Sequence, residues 1–145
     1  MLFRSRFGGG GGAVRITSAT RIVVTGSILA NGGVGGDAFI GSNLAAGCDP
    51  QPGAAGGGGS GGVIFLRAPV LTTTATATLS AAGGAGGASS TFATGGRGGA
   101  GGLGRIRLSA TPATCTLAGT FNPPLVSGCT AASTAGRTYV ATYPL

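Results

Sequence analysis

The sequence contains no histidine, lysine, glutamate or tryptophan, and its only carboxylate side chains are those of Asp37 and Asp49. General acid–base catalysis usually draws on histidine, glutamate, aspartate or lysine with a tuned pKa. Without histidine, the Ser-His-Asp and Cys-His arrangements that activate a nucleophile cannot be assembled. A glycosidase needs two converging carboxylates, whereas both aspartates lie in one irregular segment. We therefore predict that the chain is not an enzyme and holds no cofactor.

Charged residues are scarce, at 8% of the 145 residues, while 42% are hydrophobic. This composition differs from the low-hydrophobicity, high-charge signature of disordered chains, so we expect one ordered domain with a modest core. The stretch VIFLRAPVL is interrupted by Arg67 and Pro69, and no apolar run approaches the length of a membrane span. No transmembrane segment is predicted.

Cysteine is limited to Cys48, Cys115 and Cys129. Scattered cysteines without histidine or a CxxC spacing do not match a zinc site, so no metal site is predicted. Cys115 and Cys129 bracket the turn-rich segment CTLAGTFNPPLVSGC, and a disulfide closing a loop of that length stabilises by about 3 kcal/mol in the chain-entropy account. We predict this disulfide, and with it an oxidising, extracytoplasmic setting. Cys48 is then free, buried, or bonded to a group outside this chain.

Glycine is abundant, at 33 residues, and it is clustered. Three glycine clusters run directly into a short apolar, arginine-bearing strand pattern: GGGGGAVRITS (8–18), GGGGSGGVIFLRA (56–68) and GGRGGAGGLGRIRLSA (95–110). In each pattern apolar residues alternate with other residues, as in a half-buried strand. The β-branched stretches 21–25 and 70–74 follow the first two strands and predict further strands. We predict an all-β fold, a β-solenoid or β-helix-like stack of short strands.

The repeats differ in length but keep their strand pattern. Ile16, Leu66 and Leu108 take equivalent positions, 50 and 42 residues apart. The predicted repeat region is 1–110, with units of about 8–55, 56–94 and 95–110. From 111 to 145 the pattern breaks, and we predict a C-terminal cap that contains the disulfide and a last short strand at 138–141.

The glycine clusters follow a Gly-Gly-X triplet, seen in GGVGG (32–36), GGAGG (83–87) and GGRGGAGGLG (95–104). A three-residue period matches polyproline-II-like geometry, which has no internal hydrogen bonds, so backbone groups must pair between segments. Three interpretations remain open: packed polyglycine-II-like helices, ordered tight turns, or flexible linkers.

All nine basic residues are arginine, and the net charge is +7. Four arginines flank the apolar strand positions and are candidates for contact with a polyanion: Arg15, Arg67, Arg105 and Arg107. The simpler interpretation is a solvated face that keeps the surface soluble. The functional one is a stripe that binds acidic polysaccharide or another cell-surface polyanion, together with the variable loops 37–55 and 88–94. No recognised nucleic-acid-binding module is present, so no specific nucleic acid partner is predicted.

A further alternative is an ice- or surface-binding protein. Flat, threonine-bearing faces can order water, and the candidates are Thr72, Thr74, Thr76 and Thr78. The discriminating observation is thermal hysteresis of the purified chain.

The units GSILANGGVGG, GGGGSGGVIFLRA, LSAAGGAGG and GGAGGLGRIRLSA resemble the glycine-rich repeats of large secreted bacterial surface proteins of the myxobacterial type. They are more loosely similar to the β-helical autotransporter and haemagglutinin-like adhesins. The resemblance covers roughly 8–110 and implies an extracellular or cell-surface module for adhesion or matrix building. The N-terminus, MLFRSRFGG, lacks a signal-peptide apolar region, so we expect a piece of a longer secreted polypeptide, continuous with or packed on further repeats.

Overall fold

The computed structural model describes residues 7–38, 54–89, 96–111 and 114–125, together with the backbone of 138–142. Regular structure in this part of the chain is β, and no α-helix occurs among the described residues. Nowhere in them does a helix have the length and apolarity that crossing a bilayer requires. The predicted all-β class is confirmed.

Short strands follow one another along the chain, and successive strands enter different sheets. Their bounds are β1 (Ala13–Thr17), β2 (Arg21–Val24), β3 (Ser27–Leu29), β4 (Val63–Arg67), β5 (Val70–Thr73), β6 (Thr78–Ser80), β7 (Arg105–Ala110), β8 (Cys115–Thr116), β9 (Thr120–Asn122) and β10 (Thr138–Thr142). The first sheet has the order β1-β4-β7-β10, the second β2-β5-β8 and the third β3-β6-β9. Every neighbouring pair is parallel. Each set of three consecutive strands therefore forms one rung of a β-stack.

The register of the first sheet follows the spacing of the sequence repeats. Ile16 of β1 lies opposite Leu66 of β4, and Leu66 lies opposite Leu108 of β7. These are the positions that the sequence placed 50 and 42 residues apart. The connections between rungs differ in length, yet the strands align because a one-residue slip would move every buried side chain to the solvent face.

The core lies between the three sheets. Ile64, Leu66, Leu71, Leu79 and Leu108 are fully buried and belong to one apolar cluster to which all three sheets contribute. Identical or similar residues stack from rung to rung, which lets parallel rungs repeat one packing arrangement.

Three polar residues are buried among the described residues, namely Thr73, Ser80 and Ser109, and Thr73 is the most deeply buried of them. The Thr73 hydroxyl donates to the carbonyl of Ala118 at 2.7 Å and accepts the Ala118 N–H at 2.9 Å. A buried hydroxyl without such partners would destabilise the core.

The stack continues beyond residue 110. Strands β8 and β9 are the third strands of the second and third sheets, so they complete a third rung with β7. Strand β10 adds a fourth strand to the first sheet. The segment that the sequence suggests as a cap thus contributes strands of its own. The turn between β8 and β9 contains Gly119, whose φ of 96° is unfavourable for residues with a Cβ.

We expect Leu66→Ala to lower the free energy of unfolding by about 2–5 kcal/mol, because it leaves a cavity at a fully buried rung position. The matched control is Leu29→Ala, which removes the same atoms from a side chain that is 58% exposed and should cost about 1 kcal/mol or less. Denaturant titration followed by circular dichroism measures both. Equal shifts in the two variants would contradict the assigned core.

Candidate functional surfaces

Five glycine-rich segments connect the rungs and pair with one another. The first (7–12), third (54–62) and fifth (96–104) lead into β1, β4 and β7. The second (30–38) and fourth (81–89) leave β3 and β6. Each segment is therefore held at one end by a strand of the stack.

Hydrogen bonds between these segments recur every third residue. In the third segment Ala55, Gly58 and Gly61 donate their N–H groups to the fifth segment over 2.8–3.1 Å. The second segment donates to the fourth with the same period, from residues 32, 35 and 38. The first donates to the third from Gly8 and Gly11. This is the repeat expected of extended backbone with three residues per turn, whose polar groups must pair laterally.

A second set of bonds crosses between the entering and leaving segments. Gly101 donates to Gly84, Gly84 to Gly59, Gly59 to Gly33 and Gly33 to Gly9, each over 2.7–2.8 Å. These five residues, one from each segment, form what we call the glycine relay. Its three interior residues each donate through their N–H group and accept through their carbonyl oxygen. Residues far apart in sequence are thereby joined through backbone alone.

The close approach of these segments requires glycine. A Cβ at Gly59 would overlap the backbone carbonyl of Gly9, and one at Gly84 would overlap that of Gly33. Gly57 is different, because the nearest atom to an added Cβ would be the Gly99 carbonyl oxygen at an ordinary 3.7 Å. Two positions of each triplet thus face neighbouring backbones in the third segment, and one faces outward.

The outward positions carry the side chains of the X residues. On the second and fourth segments they are Asn31, Val34, Asp37, Ala82, Ala85 and Ala88; on the third and fifth they are Ala54, Ser60, Arg97, Ala100 and Leu103. All are exposed except Ala82, which is half-buried. In the third and fourth segments the Gly-Gly-X period therefore matches the division between packed and outward-facing positions. In the fifth segment an added Cβ at Gly96, Gly99 or Gly102 also meets no atom within 4 Å.

Two outward side chains continue the hydrogen bonding. Asn31 Oδ1 accepts the Ala82 N–H at 2.8 Å and the Ser80 hydroxyl at 2.7 Å. Asp37 Oδ1 accepts the Ala88 N–H at 2.7 Å. Asp37 thus satisfies a backbone donor of the neighbouring segment. Asp49, the other aspartate of the glycosidase alternative, lies outside the described residues.

The variable loops lie mostly outside the described residues, but the points where they leave the glycine segments are defined. Ala38 donates to Ala88 at 3.0 Å, and Ala55 donates to Gly96 at 3.1 Å. The chain therefore leaves and re-enters all four segments at the same end, away from the strands. The predicted loops 37–55 and 88–94 start from one common edge.

The four predicted arginines all lie on strands of the first sheet, on the side opposite its core residues. Arg15 is on β1, Arg67 on β4, and Arg105 and Arg107 on β7. Arg67 is half-buried, whereas the other three are exposed. The structure thus brings the predicted arginines to one surface. Together with Phe65 they define the arginine face.

Phe65 lies between two of these arginines. It is opposite Arg15 on one side and Arg107 on the other, and each guanidinium carbon is 5.5 Å from the ring centroid. Contacts of this geometry contribute roughly 0.5–1 kcal/mol each at exposed sites. Phe65 was not predicted as a functional residue, although the offsets of 50 and 42 that align Ile16, Leu66 and Leu108 also align Arg15, Phe65 and Arg107.

The threonines of the ice-binding alternative do not share one sheet. Thr72 lies in β5 and Thr78 in β6, while Thr74 and Thr76 lie between those strands. The Thr76 hydroxyl donates to the carbonyl of Thr25 at 3.1 Å, and its oxygen is 3.0 Å from the hydroxyl oxygen of Thr74. The chain turns from one sheet to the next here, so these four side chains form no single flat face.

Comparisons with protein-family models, with curated proteins and with solved structures return no match. Within the described residues there is also no group of three or more histidine, cysteine, aspartate or glutamate side chains that could hold a metal ion. The glycine segments and the arginine face are therefore the features from which a function can be inferred.

We expect Gly59→Ala to destabilise the protein by about 3 kcal/mol or more, because the added methyl group meets backbone that cannot rotate away. The matched variant Gly57→Ala should lie within about 1 kcal/mol of the parent, since its φ is not positive and its Cβ meets no close atom. Thermal and denaturant unfolding measure both. If Gly59→Ala is as well tolerated as Gly57→Ala, the close packing assigned to the glycine segments is wrong.

The predicted disulfide stays a prediction, because Cys129 and Cys48 lie outside the described residues, while Cys115 is half-buried in β8 against the core. Peptide mapping by mass spectrometry without reductant should link Cys115 to Cys129, and reduction should cost about 3 kcal/mol of stability. Cys48→Ser is the control and should leave the link intact. A Cys48–Cys115 link, or free thiols throughout, would contradict this pairing.

Proposed function

We propose that the chain is a non-enzymatic extracellular module with a structural or adhesive role, built as a β-solenoid whose rungs are joined by polyglycine-II-type helices. The glycine relay is the observation that carries this proposal. It commits five separate segments to backbone-to-backbone contact, so these segments serve to fix spacing and rigidity. A layer of this kind has little room for reactive side chains.

Rigidity comes from two hydrogen-bonded arrays that share the same chain. The parallel sheets hold the rungs in register, and the glycine segments leave and enter those rungs. Gly62 donates to Ala30 at 2.7 Å, which ties the end of the third segment to the start of the second. Such stacks derive stability from neighbour-to-neighbour contacts and are suited to extended scaffolds and binding surfaces.

An adhesive role is supported by the shared edge from which the variable loops start. Binding residues are concentrated on loops that a rigid scaffold positions. Here the scaffold is the set of paired glycine segments, and the loops differ from repeat to repeat in length and composition. The extracellular location is supported by the predicted disulfide and by the resemblance to secreted bacterial surface proteins.

Packing on further repeats is supported by the first rung. Its strands β1, β2 and β3 each lie at the edge of a sheet. Ile16 on this rung is 39% exposed, whereas its counterparts Leu66 and Leu108 are fully buried. A shallow depression at the same end is lined by apolar side chains that include Ile16 and Ile28, together with Thr25 and Ser27. Open strand edges and apolar surface of this kind favour pairing with another rung.

Antibodies against the purified chain should label intact, unpermeabilised cells of the source organism, and deletion of the gene should reduce attachment of those cells to surfaces. A gene carrying Gly57→Ala should restore attachment. A gene carrying Gly59→Ala should not, because the added methyl group prevents the glycine segments from packing. Flow cytometry and an attachment assay measure these effects. Labelling that requires permeabilisation would reject the extracellular role, and normal attachment of the deletion strain would reject the adhesive role.

A further inference from the structure

We propose that the arginine face binds an acidic polysaccharide, a linear chain of sugars that carries carboxylate or sulfate groups. This inference deepens the adhesive role proposed above by assigning a ligand class to one surface of the β-stack. It depends on that role only for where the ligand is met, since binding is a property of the isolated chain.

Positive charge is concentrated on this face, and the sequences of the four strands in this sheet contain no aspartate or glutamate. The outward positions of β1, β4 and β7 include Arg15, Arg67, Arg105 and Arg107. The only carboxylate side chain among the residues with described side chains is Asp37, which lies in the second glycine segment and accepts the Ala88 N–H. A surface of one sign attracts polyanions and accelerates their association.

Phe65 holds two of the guanidinium groups in place. Strands in a sheet lie about 4.8 Å apart, so the backbones of Arg15 and Arg107, on either side of Phe65, are separated by about 10 Å. An arginine side chain is long and loses rotamer freedom when a ligand fixes it in one position. Contact with the ring restrains both arginines before a ligand arrives, which reduces the entropy that binding must remove.

The arrangement favours a polysaccharide over a nucleic acid. Guanidinium groups bind carboxylate and sulfate-like oxyanions through paired, charge-assisted hydrogen bonds. Guanidinium groups bind phosphate in the same way, so charge alone does not separate the two ligand classes. Single-stranded nucleic acid also needs aromatic rings for its bases to stack on. The Phe65 ring already has a guanidinium on each side.

The test measures binding of the whole chain to heparin oligosaccharide and to polygalacturonate, by calorimetry at low and physiological salt. Neutral dextran and a single-stranded DNA of matched charge are the comparison ligands. The test variant is Arg15→Gln with Arg107→Gln. The control is Arg21→Gln with Arg97→Gln, which removes the same charge from exposed arginines on the second sheet and the fifth glycine segment.

We expect binding to at least one of the two acidic polysaccharides and none to dextran. Because charge-assisted hydrogen bonds are lost, the Arg15/Arg107 variant should bind about tenfold more weakly or worse, and the control should change by less than about threefold. Phe65→Leu should also weaken binding, since the guanidinium groups lose their restraint. Unchanged melting curves establish that each variant is folded. Heparin binding alone identifies sulfate as the preferred anion, and polygalacturonate binding alone identifies carboxylate.

Equal weakening in the two double variants would overturn the proposal, since binding would then reflect net charge alone. So would tighter binding of the DNA than of either polysaccharide, or no binding to either polysaccharide at low salt. These failures differ from failure of the extracellular role. If antibodies label the chain on intact cells but the chain does not bind polysaccharide, only this inference is rejected. If the chain binds polysaccharide in solution but is found inside the cell, only the proposed location is rejected.

Discussion

The structure depends on direct contact between polypeptide backbones at positions that carry no Cβ. In the glycine relay the peptide groups of five segments approach closely enough to exchange hydrogen bonds from Gly101 through to Gly9. Extended glycine backbone has no hydrogen bonds of its own, so lateral pairing is its only source of satisfied polar groups within the protein. Ordering glycine also costs more backbone entropy than ordering any other residue. Such segments therefore pack only when something else holds their ends in register.

The β-stack supplies that register. Each glycine segment ends at a strand whose neighbours are fixed by parallel pairing and by buried side chains such as Leu66 and Leu79. Packing of the strands sets the height of each segment, and hydrogen bonding between segments then proceeds with a three-residue period. Conversely, the glycine segments return the chain to the first sheet at the position where the next strand can pair. The parallel sheets and the paired glycine segments therefore each depend on the other for their register.

The same constraint explains how chemistry is distributed over the surface. Two of every three positions in the third and fourth glycine segments are closed to side chains, and one of every three is closed in the first and fifth. Side chains in these segments are therefore limited to the open positions, and the remaining variation lies in the variable loops and on the outer faces of the sheets. Arginine is concentrated on the outer face of the first sheet, where parallel pairing places Arg15 and Arg107 on either side of Phe65. A surface that is regular in its backbone thus carries a local, chemically specific group of side chains.

Sequence patterns alone identify the strand class, the approximate position of most strands, the equivalence of Ile16, Leu66 and Leu108, and the three-residue period of the glycine clusters. These are local properties, since alternation and triplet spacing can be read within a few residues. Strands β8 and β9 were not predicted because the repeat pattern breaks after residue 110, and neither a glycine cluster nor a β-branched run marks these short strands. The choice between packed glycine segments, turns and linkers required the three-dimensional structure, as did the position of Phe65 between two arginines. Both depend on which distant segments become neighbours, and that is set by parallel strand pairing and by the stacking of buried side chains from different rungs, which no single segment encodes.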